Sequence, residues 1–96
     1  MQSFIATGRL TKNPKLEYTN QAKCTFFIAV EVRRGSFQRT DYIPCVAWRE
    51  LAEIIANFTE KGKLVAIKGE WRSHMYSKNG EQKMRLELEV MECDFL

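Results

Sequence analysis

Residues 41–69, DYIPCVAWRELAEIIANFTEKGKLVAIKG, constrain the fold of this chain more than any other stretch. Residues 41–49 are β-branched and aromatic enough for a strand. Alternation sets Tyr42, Pro44, Val46 and Trp48 on one face and Ile43, Cys45 and Ala47 on the other. A helical pattern follows at once, with Leu51, Ile54, Ile55 and Phe58 at i, i+3, i+4 and i+7. Lys61-Gly62 then offer the cation and the glycine that suit a helix end, and residues 63–69 read as the next strand.

The flanking segments supply three more strands. Residues 1–10 alternate Phe4, Ala6, Gly8 and Leu10 against Ile5, Thr7 and Arg9. Gly8 inside such a run predicts a bulge or a sharp bend. Asn13-Pro14 marks a turn, and Leu16-Glu17-Tyr18 can pair briefly as a short strand. Residues 23–33 put Phe26, Ile28 and Val30 inward and leave Phe27 outward, as a contact between proteins or as a platform for a base. Residues 83–91 put Met84, Leu86, Leu88 and Val90 inward, with Arg85, Glu87 and Glu89 on a solvated face. A short helix between the third and fourth strands of a small β-rich chain predicts an all-β, five-stranded OB-fold barrel. Proline lacks the N–H of a β-ladder, so Pro44 predicts a locally unpaired strand beside a groove.

The polar segments interleave cations with aromatic rings. Residues 33–40, RRGSFQRT, read as a loop carrying Arg33, Arg34, Phe37 and Arg39. An exposed aromatic among arginines has little structural purpose, which favours a flexible clamp on phosphates and bases over a plain hairpin loop. Tyr42, Trp48 and Arg49 form a second group, and Arg72, His74, Tyr76 and Lys78 a third, before a hairpin tip at Asn79-Gly80. Trp71 falls on the opposite face and reads as core. Lys12 and Lys15 are either a solvated loop or phosphate contacts. A sequence-blind binder of single strands needs such cations along a groove and rings on which unstacked bases can lie.

At 96 residues the chain is expected to form one domain, residues 1–96, small enough to gain from oligomerisation. A net charge of +3 favours anionic partners without identifying one. Cys24, Cys45 and Cys93 lack metal or disulfide spacing and read as reduced, strand-borne hydrophobes. His74 is the lone histidine, so neither a metal nor a cofactor is expected. No apolar run reaches a membrane span and no signal peptide precedes the first strand, so cytoplasm is the expected compartment.

The order and spacing of Ile43, Cys45, Val46, Trp48-Arg49, Leu51-Ala52, Lys61-Gly62, Val65 and Gly69 resemble bacterial single-stranded DNA-binding proteins. The likeness extends outward through residues 8–14, Tyr18, Phe26 and Ala29-Val30, and closes with Arg72, Tyr76, Gly80 and Phe95-Leu96. It implies a protein that coats single-stranded DNA near the nucleoid, as a homo-oligomer, with a tetramer favoured and a dimer possible. It implies base platforms at Tyr42, Trp48 and Tyr76, and backbone contacts at Lys61 and Arg72; Arg9 joins this set. Phe37 stands some positions from the usual aromatic of the family. Members commonly continue into a flexible segment and an acidic tip; residues 93–96 resemble a short form, with Phe95 and Leu96 packed and no tail-mediated recruitment. The competing readings are a primosome-type assembly module acting through protein partners and a small nuclease, for which no catalytic constellation stands out.

Overall fold

The computed structural model describes residues 1–96. Six strands and one helix follow in the order β1 (Phe4–Leu10), β2 (Lys15–Tyr18), β3 (Ala22–Arg34), β4 (Phe37–Trp48), α1 (Arg49–Phe58), β5 (Leu64–Lys78) and β6 (Glu81–Phe95). The strands pair in the order β1-β5-β6-β4-β3-β2, and a further β1–β3 pairing closes the sheet on itself. Five long strands thus form a closed barrel and β2 is the short strand expected near residue 17, with α1 between β4 and β5. This is an OB-fold.

The interior is apolar throughout, with no buried polar or charged residue. Cys24, Phe26 and Ile28 of β3 meet Cys45 and Ala47 of β4, Val65 and Ile67 of β5, and Leu88 and Val90 of β6. The helix closes one side of the barrel through Ala52 and Ile55. Its apolar stripe is wider than its contact: Ile54 and Phe58, expected inward, are exposed. Trp71 packs on Phe4 with ring centroids 5.3 Å apart, as a core residue should. Phe95 pairs with Val65 and tilts against Phe58 at 6.3 Å, whereas Leu96 is held only by its amide donating to the Leu64 carbonyl, its side chain free.

Two hairpins run past the barrel, and there the sequence expectations need correction. Residues 33–40 are not a flexible loop. The β3–β4 ladder continues without a break from Lys23↔Trp48 to Arg34↔Phe37 and turns on Gly35-Ser36. A ribbon solvated on both faces carries no apolar alternation, so residues 33–40 could not announce themselves as strand. Met84 and Leu86 are likewise exposed, because β6 there extends beyond any core to face. The Asn79-Gly80 tip has φ of 53° and 77°, as a tight hairpin turn requires.

Pro44 keeps its place in the β3–β4 ladder opposite Phe27. The Phe27 carbonyl accepts from the Thr11 amide on the far side of β3, so Phe27 directs its backbone polar groups away from β4. Phe27 and Pro44 therefore form a non-hydrogen-bonded pair, and the N–H that Pro44 lacks would have faced β6. Pairing between β4 and β6 begins only after it, at Cys45↔Leu88. The strand is unpaired on one side only.

Gly8 marks a close approach, not a bulge. At Arg9 and Leu10 the first strand joins β3 as well as β5, and a Cβ at Gly8 would overlap the Ala29 carbonyl. The register shift lies instead at Lys68/Gly69, where Met91 is left without a partner. A Cβ at Gly69 would overlap the Glu89 carbonyl. Gly69→Ala is expected to cost about 2–3 kcal/mol in urea unfolding, since neither backbone can yield without breaking the ladder. Gly35→Ala has open space and a φ of 61°, and should cost only about 1–2 kcal/mol. Equal losses would count against close packing at the bulge.

Burial lifts the Cys24 thiol from 9.0 to about 11, and lifts Cys45 further. Cys93 also rises to about 11, through burial first and then the nearby Asp94 carboxylate and Cys24. All three are unreactive neutral thiols at pH 7. A thiol raised on folding contributes its stability in full below pH 9 and loses it as pH climbs through 11. Stability should fall by about 1.4 kcal/mol per pH unit for a buried thiol in that window. Denaturant midpoints measured from pH 8 to 11 should therefore decline less steeply in Cys24→Ala; parallel profiles would refute the assignment.

Candidate nucleic-acid interface

Cross-strand partners share a face, so the register assembles the outer surface of the barrel. Tyr42, Pro44, Val46 and Trp48 on β4 stand beside Ala29, Phe27, Thr25 and Lys23 on β3. On the other flank Val46 neighbours Glu89 of β6, and β6 pairs Glu87 with Arg72, Arg85 with His74 and Lys83 with Tyr76. Val46, expected to face solvent, is 1% exposed because Thr25 and Glu89 flank it on this face. The result is one curved surface across β3, β4, β6 and β5.

A depression of about 450 Å³ lies at its centre, lined by Trp48, Arg72, His74, Val46, Gln21, Arg49, Glu87 and Glu89. Trp48 is half-buried, with the Lys23 ammonium 5.4 Å from its ring centroid. This cation holds one side of the indole against the sheet. Arg49 sits at the turn from β4 into α1 with φ of 61°, a left-handed conformation, and its Nε donates to Gln21 Oε1 at 2.9 Å. Such conformations cost about 1–3 kcal/mol and concentrate at functional sites.

Arg72 and His74 of the depression are not free. Arg72 Nη1 donates to Glu89 Oε2 at 3.0 Å, and His74 Nε2 lies 2.8 Å from Glu87 Oε1. The carboxylates are the more buried partners, so Glu87 and Glu89 support the face from beneath and are not the solvated residues expected of them. A guanidinium has five donors, and Arg72 can hold its carboxylate and a phosphate together.

The other candidate residues divide. Arg9, Ala29 and Tyr42 form one row across β1, β3 and β4, although Arg9 Nη1 donates to the Gly62 carbonyl at 3.0 Å. Tyr76 and Lys78 continue the Arg72–His74 face along the β5–β6 hairpin, with Tyr76 46% exposed. Arg33 shares the Tyr42 face. Arg34, Phe37 and Arg39 alternate onto the opposite side of the ribbon, where Arg39 Nε pairs with Asp41 at 3.2 Å. The proposed clamp is thus split between two surfaces. Lys61 lies past the helix, its amide donating to Asn13 Oδ1 at 2.9 Å.

Lys23, Gln21, Glu87 and Glu89 escaped sequence reasoning as parts of this surface. For the glutamates the signal was present: counting back from the Asn79-Gly80 turn pairs 78 with 81 and 72 with 87. For Lys23 and Gln21 only the β3–β4 register brings them to Trp48. No group of three or more metal-binding side chains is close enough to hold an ion.

The model of the single-strand binding protein family matches residues 1–96. Single-stranded DNA-binding protein 2 of Clostridium acetobutylicum is 38% identical, covering 100% of this chain and 77% of its own length. The single-stranded DNA-binding protein of Lactiplantibacillus plantarum is 46% identical over 75% of this chain and 38% of its own length. Single-stranded DNA-binding protein A of Bacillus subtilis is 35% identical over 100% of this chain and 59% of its own length. With an OB-fold barrel, a face of rings and cations, and a family match over every residue, the chain belongs to the single-strand binding protein family.

Proposed function

We propose that residues 1–96 form one domain that binds single-stranded DNA without sequence preference and protects it during replication, recombination or repair. The observation that carries this reading is the single outer face on which Tyr42, Trp48 and Tyr76 alternate with Arg72, His74 and Lys78. Bases stack on the rings, each stack contributing about 1–3 kcal/mol whatever the base, and the cations meet the phosphates between them. Arg9, Arg33 and Lys61 extend the cationic track at its margins. Arg34, Phe37 and Arg39 take part where a strand wraps the β3–β4 ribbon. Proteins of this family are not enzymes, which sets the nuclease reading aside. No helix is long and apolar enough to cross a membrane, and the cytoplasm near the nucleoid is the compartment this function implies.

The chain acts as a homo-oligomer in this reading, with a tetramer favoured over a dimer. Ile5 of β1, 70% exposed, and the Met75–Met84 pair of the β5–β6 hairpin offer apolar surface that a lone barrel leaves in water. Light scattering across a concentration series should give a mass above that of the monomer. A monomer mass at every concentration would sink this part and leave DNA binding untouched.

Binding should quench tryptophan fluorescence through Trp48 alone, since Trp71 is packed against Phe4. Titration with poly(dT) should show that quench disappear in Trp48→Phe, and Trp48→Ala should lose about 1–3 kcal/mol of affinity. The log–log salt slope should be about −0.7 per phosphate neutralised, and Arg72→Gln should flatten it by one such increment. A tight complex with undiminished fluorescence would remove Trp48 from the set of platforms. Binding confined to protein partners would favour the assembly-module reading instead.

A further inference from the structure

Pro44 opens a fork between β4 and β6. Below Cys45↔Leu88 the two strands pair; above it they part, and a cleft of about 540 Å³ opens between the hairpins. That volume falls within the range of about 300–1,000 Å³ that holds small ligands. Phe27, Pro44 and Leu86 form apolar walls, and Lys12, Lys15 and Arg85 bring three cations to the rim. Phe27 is 53% exposed, on the same face as Tyr42 and Trp48.

The charges here differ from those around Trp48. Arg72 and His74 are each held by a carboxylate, whereas Lys12 and Arg85 form no ion pair. Lys15 reaches Glu17 only at 3.9 Å, with both side chains well exposed. The one carboxylate that lines the cleft, Glu87, is directed to His74 at 2.8 Å. The lysine-bearing segment is also fixed in place. The Thr11 amide donates to the Phe27 carbonyl at 3.0 Å, and Asn13 Oδ1 accepts from the Lys61 amide at 2.9 Å. A site whose cations are positioned before binding loses less entropy on binding.

We propose that this fork is a further nucleotide subsite, in which a base of the single strand stacks on Phe27 between Pro44 and Leu86 while its flanking phosphates meet Lys12, Lys15 and Arg85. The proposal rests on the single-strand binding reading above. Glu87 lines both this cleft and the Trp48 depression, so one strand passes from the first to the second over the His74–Glu87 pair. An apolar surface of a second copy fits the fork poorly, because it would bury Lys12 and Arg85 without partners and Lys15 with only a long contact to Glu17. The polyanion supplies the partners that the protein lacks here.

A reporter placed at the fork tests this. In Trp48→Phe protein, the further substitution F27W keeps an aromatic ring at the site, and titration with poly(dT) should quench the introduced indole. Phe27→Ser should weaken binding by about 5- to 100-fold, and Arg85→Gln should reduce the salt slope by about 0.7. Light scattering on both variants should give the mass of the unsubstituted protein. An unquenched F27W signal in a protein that still binds poly(dT) would overturn the subsite and leave the broader function standing. Loss of affinity in Phe27→Ser matched by loss of oligomer mass would assign Phe27 to contact between copies, and so overturn it too. If the unsubstituted protein fails to bind poly(dT), both readings fall together.

Discussion

β1 closes the barrel, and both the core and the outer face follow from that closure. The strand lies along β5 for most of its length and bonds to β3 at Arg9 and Leu10, and only a glycine at position 8 lets the Ala29 backbone approach closely enough. The Leu10 amide donates to Lys63, and the Gly62 amide donates to Leu10, which ties the connection after α1 to the same seam. Without this seam the sheet would expose two edges, and the core of Ile28, Ile67 and Leu88 would lose a wall. Closure also sets the curvature that gathers β3, β4, β6 and β5 into one outer face.

On that face, cohesion and binding compete for the same charges. Glu87 and Glu89 hold His74 and Arg72 against the sheet at 2.8 and 3.0 Å. Exposed pairs of this kind add little stability, on the order of 0–1 kcal/mol, so their main effect is orientation. An oriented guanidinium meets a phosphate with less entropic loss than a free one, but it brings a carboxylate near the phosphate as well. At the fork, Lys12 and Arg85 are held by no carboxylate, and Lys15 meets Glu17 only at 3.9 Å. The basic character of the surface is therefore uneven, tempered more around Trp48 than around Phe27.

Single backbone features set this arrangement. Pro44 withholds an N–H on the β6 side, and β4 and β6 separate there. The Asn79-Gly80 turn sets the register that brings Glu87 opposite Arg72, and the shift at Lys68/Gly69, farther from the turn, leaves Met91 unpaired. Arg49 takes a left-handed φ so that a strand can pass into a helix within one residue, carrying Trp48 to the edge of the depression.

Local pattern was enough for much of this. The inward faces of β1, β3 and β4, the helix after Trp48, the Asn79-Gly80 turn and the outward rings Tyr42 and Tyr76 follow from periods of two and 3.6 and from turn chemistry. These are properties of neighbours along the chain. What lay beyond the sequence depends on neighbours across it. Alternation alone could not show that the 33–40 segment is a ribbon with Phe37 turned away from Tyr42, that Val46 is covered, or that Lys23 lies on Trp48. Nor could it show that Arg72 and His74 already have partners while Lys12 and Arg85 do not. Alternation along the chain is enough to say which side chains leave each strand together; which strands lie side by side follows only from folding, because register and closure are set by pairing between distant segments and by where a proline or a glycine interrupts it.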